Sequence, residues 1–264
     1  MQALQLAALQ MDLIWQDPTQ NRLNAERMLS QLKQKVDLIL LPEMFTTGFS
    51  MDASQHCERM EGETEQWMEK MAQKYTAVIA GSIIVQEDLN YFNRMLIVGP
   101  NGLLAEYDKR HLFRMAGEHE VYTQGTDWVW FEWKGWRIAP QICYDLRFPV
   151  WSRNQADGTG KMKYDLLLYL ANWPAKRIRH WDTLLKARAI ENQAYVAGVN
   201  RVGEDGNELP YNGHSAILDY MGDPLAGPSE KEEILYASLD PEPLERYRTK
   251  FPVWRDADQF DLYP

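Results

Sequence analysis

The stretch WRIAPQICYDLRFP, residues 136–149, combines a strand-like run, a cysteine and a predicted helix start. Residues 136–142 alternate like a β-strand, and a helix is predicted to begin directly after Cys143. The cysteine then lies on a sharp elbow, beside backbone N–H groups that have no partner within the helix. A nucleophile and a pocket for an oxyanion can share such an elbow. The stretch therefore predicts a reactive thiol at Cys143, with the N–H of Tyr144 facing the oxyanion.

Strands and helices interleave along the rest of the chain, which is typical of an α/β protein with large, mostly buried sheets. Strands are predicted over residues 3–11, 36–41, 76–85, 92–98, 103–107, 128–133, 136–142, 164–171, 195–202, 216–220 and 234–239. Helices are predicted over residues 17–34, 61–75, 146–156, 181–193 and 241–250, and residues 108–127 as a charged loop. No stretch rich in Gly, Ser or Pro divides the chain, so we predict a single domain over residues 1–264.

Composition and charge exclude several classes of partner. The net charge of −10 argues against a nucleic-acid-binding protein, because phosphate recognition requires a basic face. The two cysteines, Cys57 and Cys143, form neither a disulfide framework nor a Cys-x-x-Cys pair, which favours a reducing, cytoplasmic location. Residues 1–7 lack the features of a signal peptide, and no apolar stretch approaches the roughly 20 residues of a membrane span. We therefore expect neither nucleic acid nor membrane as a partner.

Two further segments end in residues that could activate the thiol. Glu43 follows the apolar run 38–41, and the carboxyl end of a buried strand is where α/β sheets place their chemistry. A turn residue in solvent, or a cap, is the alternative for this glutamate. Lys109 could favour the thiolate and later the oxyanion, or belong to a solvated charge cluster. Without its neighbours, Cys143 is equally compatible with a small core residue.

Other chemistries have little support in the sequence. The five histidines show no metal-binding spacing, and the chain has no glycine-rich phosphate motif, so we expect no metal site. A papain-like pairing of Cys143 with His180 or His214 stays open, although neither histidine has a supporting local motif.

The predicted helix 181–193 has Arg188 and Asn192 on an otherwise apolar face. Buried polar side chains need partners. Either Arg188 forms a structural ion pair, with Glu191 or another acid, or this face of the helix supports the elbow.

Three blocks of sequence resemble the signature blocks of the nitrilase superfamily. They are residues 40–45 (LLPEMF), 107–113 (YDKRHLF) and 142–149 (ICYDLRFP). Their order, a glutamate, then a lysine, then a cysteine, is the order of the family, and the resemblance runs almost from end to end. It implies a four-layer α-β-β-α sandwich of the nitrilase type and homodimers that pack sandwich against sandwich.

The resemblance also implies roles for single residues. Glu43 would be the general base, Lys109 the cation at the oxyanion and Cys143 the nucleophile. The family uses a second glutamate seven residues before a glycine, and Glu118 has this distance from Gly125. Glu120 is its near neighbour and stays an alternative.

The segments 111–115 (HLFRM), 143–149 (CYDLRFP) and 171–174 (ANWP) are similar to the omega-amidase branch of the superfamily. This similarity implies hydrolysis of the terminal amide of 2-oxoglutaramate or 2-oxosuccinamate to a 2-oxo dicarboxylate and ammonia. The reaction would pass through a thioester on the cysteine, with no metal or organic cofactor. The alternatives are another C–N hydrolase (an N-carbamoyl amidase or a nitrilase), a binding scaffold without turnover, and a thiol redox sensor.

A substrate of this class requires a cation for its distal carboxylate, and arginine suits that role because it binds carboxylates in a bidentate manner. The candidates by proximity to the motifs are Arg147, Arg114, His111 and Lys176. The candidates for apolar walls of the pocket are Phe113, Trp173 and Tyr144. Alternatively, Arg147 pairs with Asp145 or Glu191 and does not contact the substrate.

Overall fold

Two six-stranded mixed sheets form the centre of the computed structural model, which describes residues 1–157, 159–258 and 260–262. The strands are β1 (Leu4–Gln10), β2 (Leu38–Leu40), β3 (Val78–Glu87), β4 (Asn90–Gly99), β5 (Gly102–Asp108), β6 (Phe131–Trp133), β7 (Trp136–Ile142), β8 (Leu166–Leu170), β9 (Tyr195–Val199), β10 (Val202–Glu204), β11 (Pro210–Asn212), β12 (Ala216–Leu218), β13 (Pro224–Ala226) and β14 (Glu233–Leu239). The end of the predicted single domain falls partly outside the described residues, which exclude Gly158, Gln259, Tyr263 and Pro264.

The helices lie between these strands in the chain and cover the outer faces of both sheets. The α-helices are α1 (Pro18–Leu29), α2 (Ala53–His56), α3 (Glu63–Tyr75), α4 (Glu118–Val121), α5 (Pro149–Ser152), α6 (Ile178–Asn192) and α7 (Pro241–Lys250). Short 3-10 helices cover Arg114–Ala116, Cys143–Arg147, Ala175–Arg177 and Val253–Asp256. In the described part of the chain, no helix combines the length and the apolar character needed to cross a membrane.

Each sheet has three parallel strands at its centre. The first sheet has the order β14-β1-β2-β3-β4-β5, with β1, β2 and β3 parallel. The second has the order β13-β12-β9-β8-β7-β6, with β7, β8 and β9 parallel. Because β5 is antiparallel to β4, and β4 to β3, β5 ends at the same edge as the parallel strands of its sheet. Residues that follow β2, β5, β7 and β8 are therefore brought to the carboxyl edges of the two sheets, where α/β proteins place their sites.

The alternation of side chains along β1 shows how the layers form. Leu6 and Ala8 belong to the core between the two sheets, whereas Ala7 and Leu9 belong to the core under α1 and α3. On the far side, α6 packs so closely on β9 that a Cβ atom at Gly198 would lie 2.6 Å from a methyl carbon of Leu185. The predicted four-layer α-β-β-α sandwich is confirmed.

The sequence-based prediction of elements was wrong in a few places. The predicted helix 146–156 is replaced by the 3-10 helix Cys143–Arg147 and by α5, because Pro149 disfavours helical backbone at the preceding residue. The strand predicted over 36–41 is only Leu38–Leu40. The short strands β10, β11 and β13 and the helices α2 and α4 were missed, since elements of three or four residues leave almost no periodic signal. Of these, α4 lies within residues 108–127, which were predicted as a loop.

The core between the sheets predicts a large effect for a single truncation. Leu168 in β8 is fully buried, so Leu168→Ala is expected to lower the free energy of unfolding by about 2–5 kcal/mol. Denaturant titration measures this change. The matched control is Leu89→Ala, at a side chain that is 93% exposed, where a change of no more than about 0.5 kcal/mol is expected. Equal effects of the two variants would contradict this description of the core.

Candidate active site

The elbow predicted at Cys143 is present. β7 ends at Ile142, and Cys143 opens the 3-10 helix with a backbone φ of 43°, in the left-handed region that few residues other than glycine adopt. As the second residue of this helix, Tyr144 has an N–H without an intrahelical acceptor. Such strained backbone persists where the surrounding structure holds it, and it concentrates at functional sites.

Asp145 joins the elbow to the segment that carries Lys109. Oδ2 of its buried carboxylate accepts hydrogen bonds from the Tyr107 hydroxyl at 2.7 Å and from the Ile142 N–H at 3.0 Å. Oδ1 accepts from the His111 N–H at 2.9 Å and lies 2.8 Å from Nδ1 of the same histidine. One carboxylate thus holds the end of β7 and the residues on both sides of the lysine.

A buried charge cluster of Glu43, Lys109 and Glu118 lies at the carboxyl edge of the first sheet. Nζ of Lys109 donates to Oε1 of Glu43 at 2.8 Å, and to Oε1 and Oε2 of Glu118 at 2.9 and 3.0 Å. The exposed fractions are 0% for both glutamates and 1% for the lysine. Of the two alternatives for the second glutamate, Glu118 is the one in the cluster, whereas Glu120 is exposed.

The electrostatics of the cluster keep the lysine charged. Burial alone would lower the pKa of Lys109, but the charges of Glu118 and Glu43 outweigh burial and raise it. Burial raises the pKa of Glu118 above its ordinary value, and the charge of Lys109 opposes that change.

The surroundings of Cys143 favour the protonated thiol over the thiolate. Burial, and then the negative charge of Glu43, raise the pKa of this thiol well above its ordinary value, although Lys109 lowers it. The resting group is therefore a thiol, and reaction requires a base that removes its proton.

Two asparagines complete the cluster, and the sequence analysis missed both. Asn172, directly after β8, donates its N–H to Oε2 of Glu43 at 2.8 Å and its side-chain amide to the Glu43 carbonyl. Its own carbonyl lies 3.9 Å from Sγ of Cys143. Asn93 in β4 donates to Oε1 of Glu43 at 2.8 Å. The position of Asn172 at the carboxyl end of a buried strand was a usable signal.

The cluster opens into a cavity of about 490 Å³. Its lining includes the predicted residues Lys109, Phe113, Cys143, Tyr144, Arg147 and Trp173, and in addition Trp15, Phe49, Met51, Asp52, Ala116, Asn172, Pro174, Arg177, Asp205, Asn207, Leu209 and Tyr211. A cavity of this size suits a small molecule.

Two guanidinium groups line the cavity. Arg147 lies over the Trp173 ring at 4.7 Å, and Arg177 over the Phe113 ring at 5.2 Å. The acids considered as partners of Arg147 are engaged elsewhere, since Asp145 binds His111 and Glu191 binds Arg188. No carboxylate of the described residues lies within ion-pair distance of either cavity arginine.

Three of the candidate cations do not line the cavity. The ring of His111 stacks on Phe148 with centroids 3.8 Å apart and is held by Asp145. Arg114 and Lys176 are exposed. The prediction that these residues contact the substrate was based on their closeness to the motifs in sequence. It was wrong because neighbouring side chains in a turn point in different directions.

The alternatives for the histidines and for α6 are also resolved by contacts. Nδ1 of His180 lies 3.2 Å from Arg147, and His214 bonds Asp182 and Glu230, so neither forms a papain-like pair with the thiol. Arg188 makes the ion pair with Glu191 and also donates to the Leu146 carbonyl of the elbow. Both interpretations of this arginine therefore hold.

The raised pKa of the thiol predicts how Cys143 reacts with an alkylating agent. In a Cys57→Ser background, the rate of alkylation by iodoacetamide is expected to rise with pH and not to level off below about pH 9, because the thiolate fraction keeps increasing. Mass spectrometry of the peptide that contains Cys143 measures this rate. A plateau near neutral pH would show a resting thiolate and contradict the prediction.

Asp145 does not line the cavity, but its role at the elbow predicts that its substitution lowers the activity. Asp145→Asn keeps the size of the side chain but removes acceptor capacity, so the elbow and Lys109 are expected to move apart slightly. We expect kcat/KM to fall on the order of a hundredfold. The control is Asp219→Asn, at a carboxylate that caps a surface turn through the N–H groups of Met221 and Asp223. Equal activity of both variants in an ammonia assay would refute this role.

Comparisons with known proteins agree with this site. The carbon-nitrogen hydrolase family model matches residues 5–249. The chain is 49% identical to the omega-amidase YafV of Yersinia enterocolitica over 264 residues, which cover 99% of this chain and 100% of the relative. It is 34% identical to a 2-oxoglutaramate amidase of Bacillus subtilis over 261 residues, which cover 98% of each.

Solved structures show the same relationship. A CN-hydrolase superfamily protein from Xanthomonas campestris, with an arsenic adduct in its active site, matches with a TM-score of 0.97 at 44% identity, over 100% of both chains. Nit3 of Saccharomyces cerevisiae, from branch 10 of the nitrilase superfamily, matches with a TM-score of 0.83 at 27% identity, over 96% of this chain and 95% of Nit3. The chain belongs to the carbon-nitrogen hydrolase family, and within the nitrilase superfamily it is a member of the omega-amidase branch.

Proposed function

We propose that this protein hydrolyses the terminal amide of a small 2-oxo acid amide, such as 2-oxoglutaramate or 2-oxosuccinamate, to the 2-oxo dicarboxylate and ammonia. One observation carries the proposal: a buried Cys143 beside the Glu43–Lys109–Glu118 cluster faces a cavity that holds two arginines for which the described residues supply no carboxylate partner. The names of its relatives in Yersinia enterocolitica and Bacillus subtilis support the same substrate class.

The first half of the reaction forms a thioester. Glu43 takes the thiol proton while the sulfur of Cys143 attacks the amide carbon. The Tyr144 N–H donates to the oxyanion, and Lys109 stabilises it through its charge, since its ammonium is already bonded to both carboxylates. Glu43 then returns the proton to the departing amine, and ammonia leaves.

The second half releases the acid. Glu43 takes a proton from water, and the resulting hydroxide attacks the thioester. The C–S bond breaks, the carboxylic acid departs, and Glu43 returns its proton to the sulfur of Cys143, which restores the thiol. Glu118 orients Lys109 throughout, because both of its oxygens accept from the ammonium. Glu43 is the side chain that accepts and returns the proton in both halves of the reaction.

The distal carboxylate and the 2-oxo group are proposed to bind Arg147 and Arg177. Each guanidinium lies over an aromatic ring, and one nitrogen of Arg147 also lies 3.2 Å from Nδ1 of His180. Because a guanidinium has five N–H donors, both arginines keep donors for a ligand. Phe113 and Trp173 form walls around the carbon chain. Of the four cations that the sequence offered for the distal carboxylate, Arg147 is the one that lines the cavity. Arg177, which the sequence analysis did not name, lines it as well.

The properties of the thiol disfavour a redox sensor. Sensor cysteines are exposed and have a lowered pKa. Cys143 is 9% exposed, and burial raises its pKa. The intact cluster of Glu43, Lys109 and Glu118 likewise disfavours a scaffold without turnover.

A substrate panel tests the proposed function. We expect faster ammonia release from 2-oxoglutaramate than from glutamine or from a simple nitrile, and no release by Cys143→Ala. Arg147→Gln is expected to raise KM for 2-oxoglutaramate on the order of tenfold to a hundredfold, because a charged hydrogen bond is lost, and to change hydrolysis of a neutral amide little.

The control for this panel is Arg179→Gln, at an exposed arginine that does not line the cavity. It is expected to behave like the wild type with every substrate. Preference for the nitrile, or activity that survives Cys143→Ala, would refute the proposed function.

We also infer a cytoplasmic, single-domain protein that forms homodimers. The exposed apolar side chains of Val150, Ile190 and Phe251 support a dimer surface near α5 and the end of α6, since they are 50%, 53% and 57% exposed. Residues Val150 and Glu191 border the same shallow groove.

The dimer predicts a selective effect of charge on this surface. Light scattering is expected to give a dimer mass for the wild type and for the control Leu89→Glu. Ile190→Glu is expected to dissociate the dimer, because a charge would be buried without a partner. A wild-type monomer, or an unchanged mass for Ile190→Glu, would contradict this surface.

A further inference from the structure

Asn93 contacts every charged residue of the cluster, although it lies within β4, whereas Glu43 follows β2, Lys109 follows β5 and Glu118 begins α4. It is 1% exposed and belongs to β4, opposite Ile84 of β3. Its backbone carbonyl accepts the Lys109 N–H at 3.0 Å. Its side-chain amide donates to Oε1 of Glu43 at 2.8 Å and lies 3.5 Å from Oε1 of Glu118.

The orientation of this amide follows from the charges around it. Turning the amide over would place Oδ1 against two carboxylate oxygens, so Nδ2 must face Glu43 and Glu118. Oδ1 then has no hydrogen-bond partner among the described residues. Because an unpaired buried oxygen is costly, a structural role alone gives no reason for an asparagine here.

A neutral hydrogen-bond donor, such as the amide of Asn93, stabilises the two carboxylates of the cluster. Two buried carboxylates share one ammonium, and like charges at this distance favour protonation of one carboxylate. A second cation would have to be desolvated, whereas an amide supplies a positive dipole end without a net charge. Other titratable groups that face the cluster are Cys143 and Tyr122, whose hydroxyl is held by the Ser50 carbonyl.

The contacts also distinguish the two oxygens of Glu43. Oε1 accepts from both Lys109 and Asn93. Oε2 accepts the N–H of Asn172, whose carbonyl lies 3.9 Å from Sγ of Cys143. Oε2 therefore keeps acceptor capacity for a proton.

We propose that Asn93 is a positioning residue, which holds Oε1 of Glu43 and keeps Glu43 and Glu118 ionised together, so that Oε2 is the oxygen that takes the thiol proton. This inference rests on the proposed function, because it assumes that Glu43 is the base. Asn93 acts through Glu43 and does not line the cavity.

The test is the dependence of kcat/KM on pH with 2-oxoglutaramate. Loss of the donor destabilises the carboxylate anions, so the glutamates hold protons more tightly and the base is lost at a higher pH. The acidic limb of Asn93→Ala is therefore expected to move up by about one pH unit, with activity recovering at higher pH. Asn93→Ser, which leaves a smaller void, carries the same expectation if Asn93→Ala does not fold.

The matched control is Asn154→Ala, at an asparagine that is 3% exposed and bonds Tyr164 and Asn192 away from the cluster. It is expected to lower the melting temperature and to leave the acidic limb in place. An acidic limb that coincides with the wild type in both Asn93 variants would overturn the inference. Glu43→Gln, measured beside them, separates the two levels: if it stays active, Glu43 is not the base and the inference loses its premise, whereas the proposed function itself fails only if the wild type releases no ammonia from 2-oxoglutaramate.

Discussion

The structure depends on a lysine buried between two glutamates. An unpaired charge at any of the three buried positions would be costly, so Lys109, Glu43 and Glu118 are stable there only together. Glu43 follows β2, Lys109 follows β5, and Glu118 begins α4. The ion cluster therefore constrains three separate segments, and the same constraint makes the site ready for reaction before a substrate arrives.

The second constraint joins the sheets at their carboxyl edges. The first sheet contributes Glu43 and Lys109, and the second contributes Cys143 and Asn172. Asp145 ties the elbow to the lysine segment, while Asn172 binds Glu43 from the other side. Because the thiol stays protonated at rest, its reactivity depends on these distances more than on its own acidity. In the proposed function, the two arginines that line the cavity select an anionic substrate for this thiol.

Much of this site could be predicted from the sequence, for a physical reason. Buried parallel strands give continuous apolar runs, and polar residues just after them mark one edge of a sheet, which pointed to Glu43 and Cys143. Glu118 came only from the resemblance to a family, since its segment has no periodic signal. Asn93 lies inside a strand, and Arg177 ends a short 3-10 helix, so only the tertiary structure shows what they contact. His111 and Arg114 show the converse, because closeness in sequence to a motif does not determine where a side chain points.

In the proposed reaction, Glu43 takes the proton of a resting thiol as Cys143 attacks the amide. Rapid-quench mass spectrometry of the protein during turnover of 2-oxoglutaramate can detect the resulting thioester. We expect an acyl group on Cys143 that appears while ammonia is released, disappears when the substrate is exhausted, and is absent in Glu43→Gln. Ammonia release with Cys143 unmodified at every time point, or an equally acylated Glu43→Gln protein, would contradict the proposed reaction.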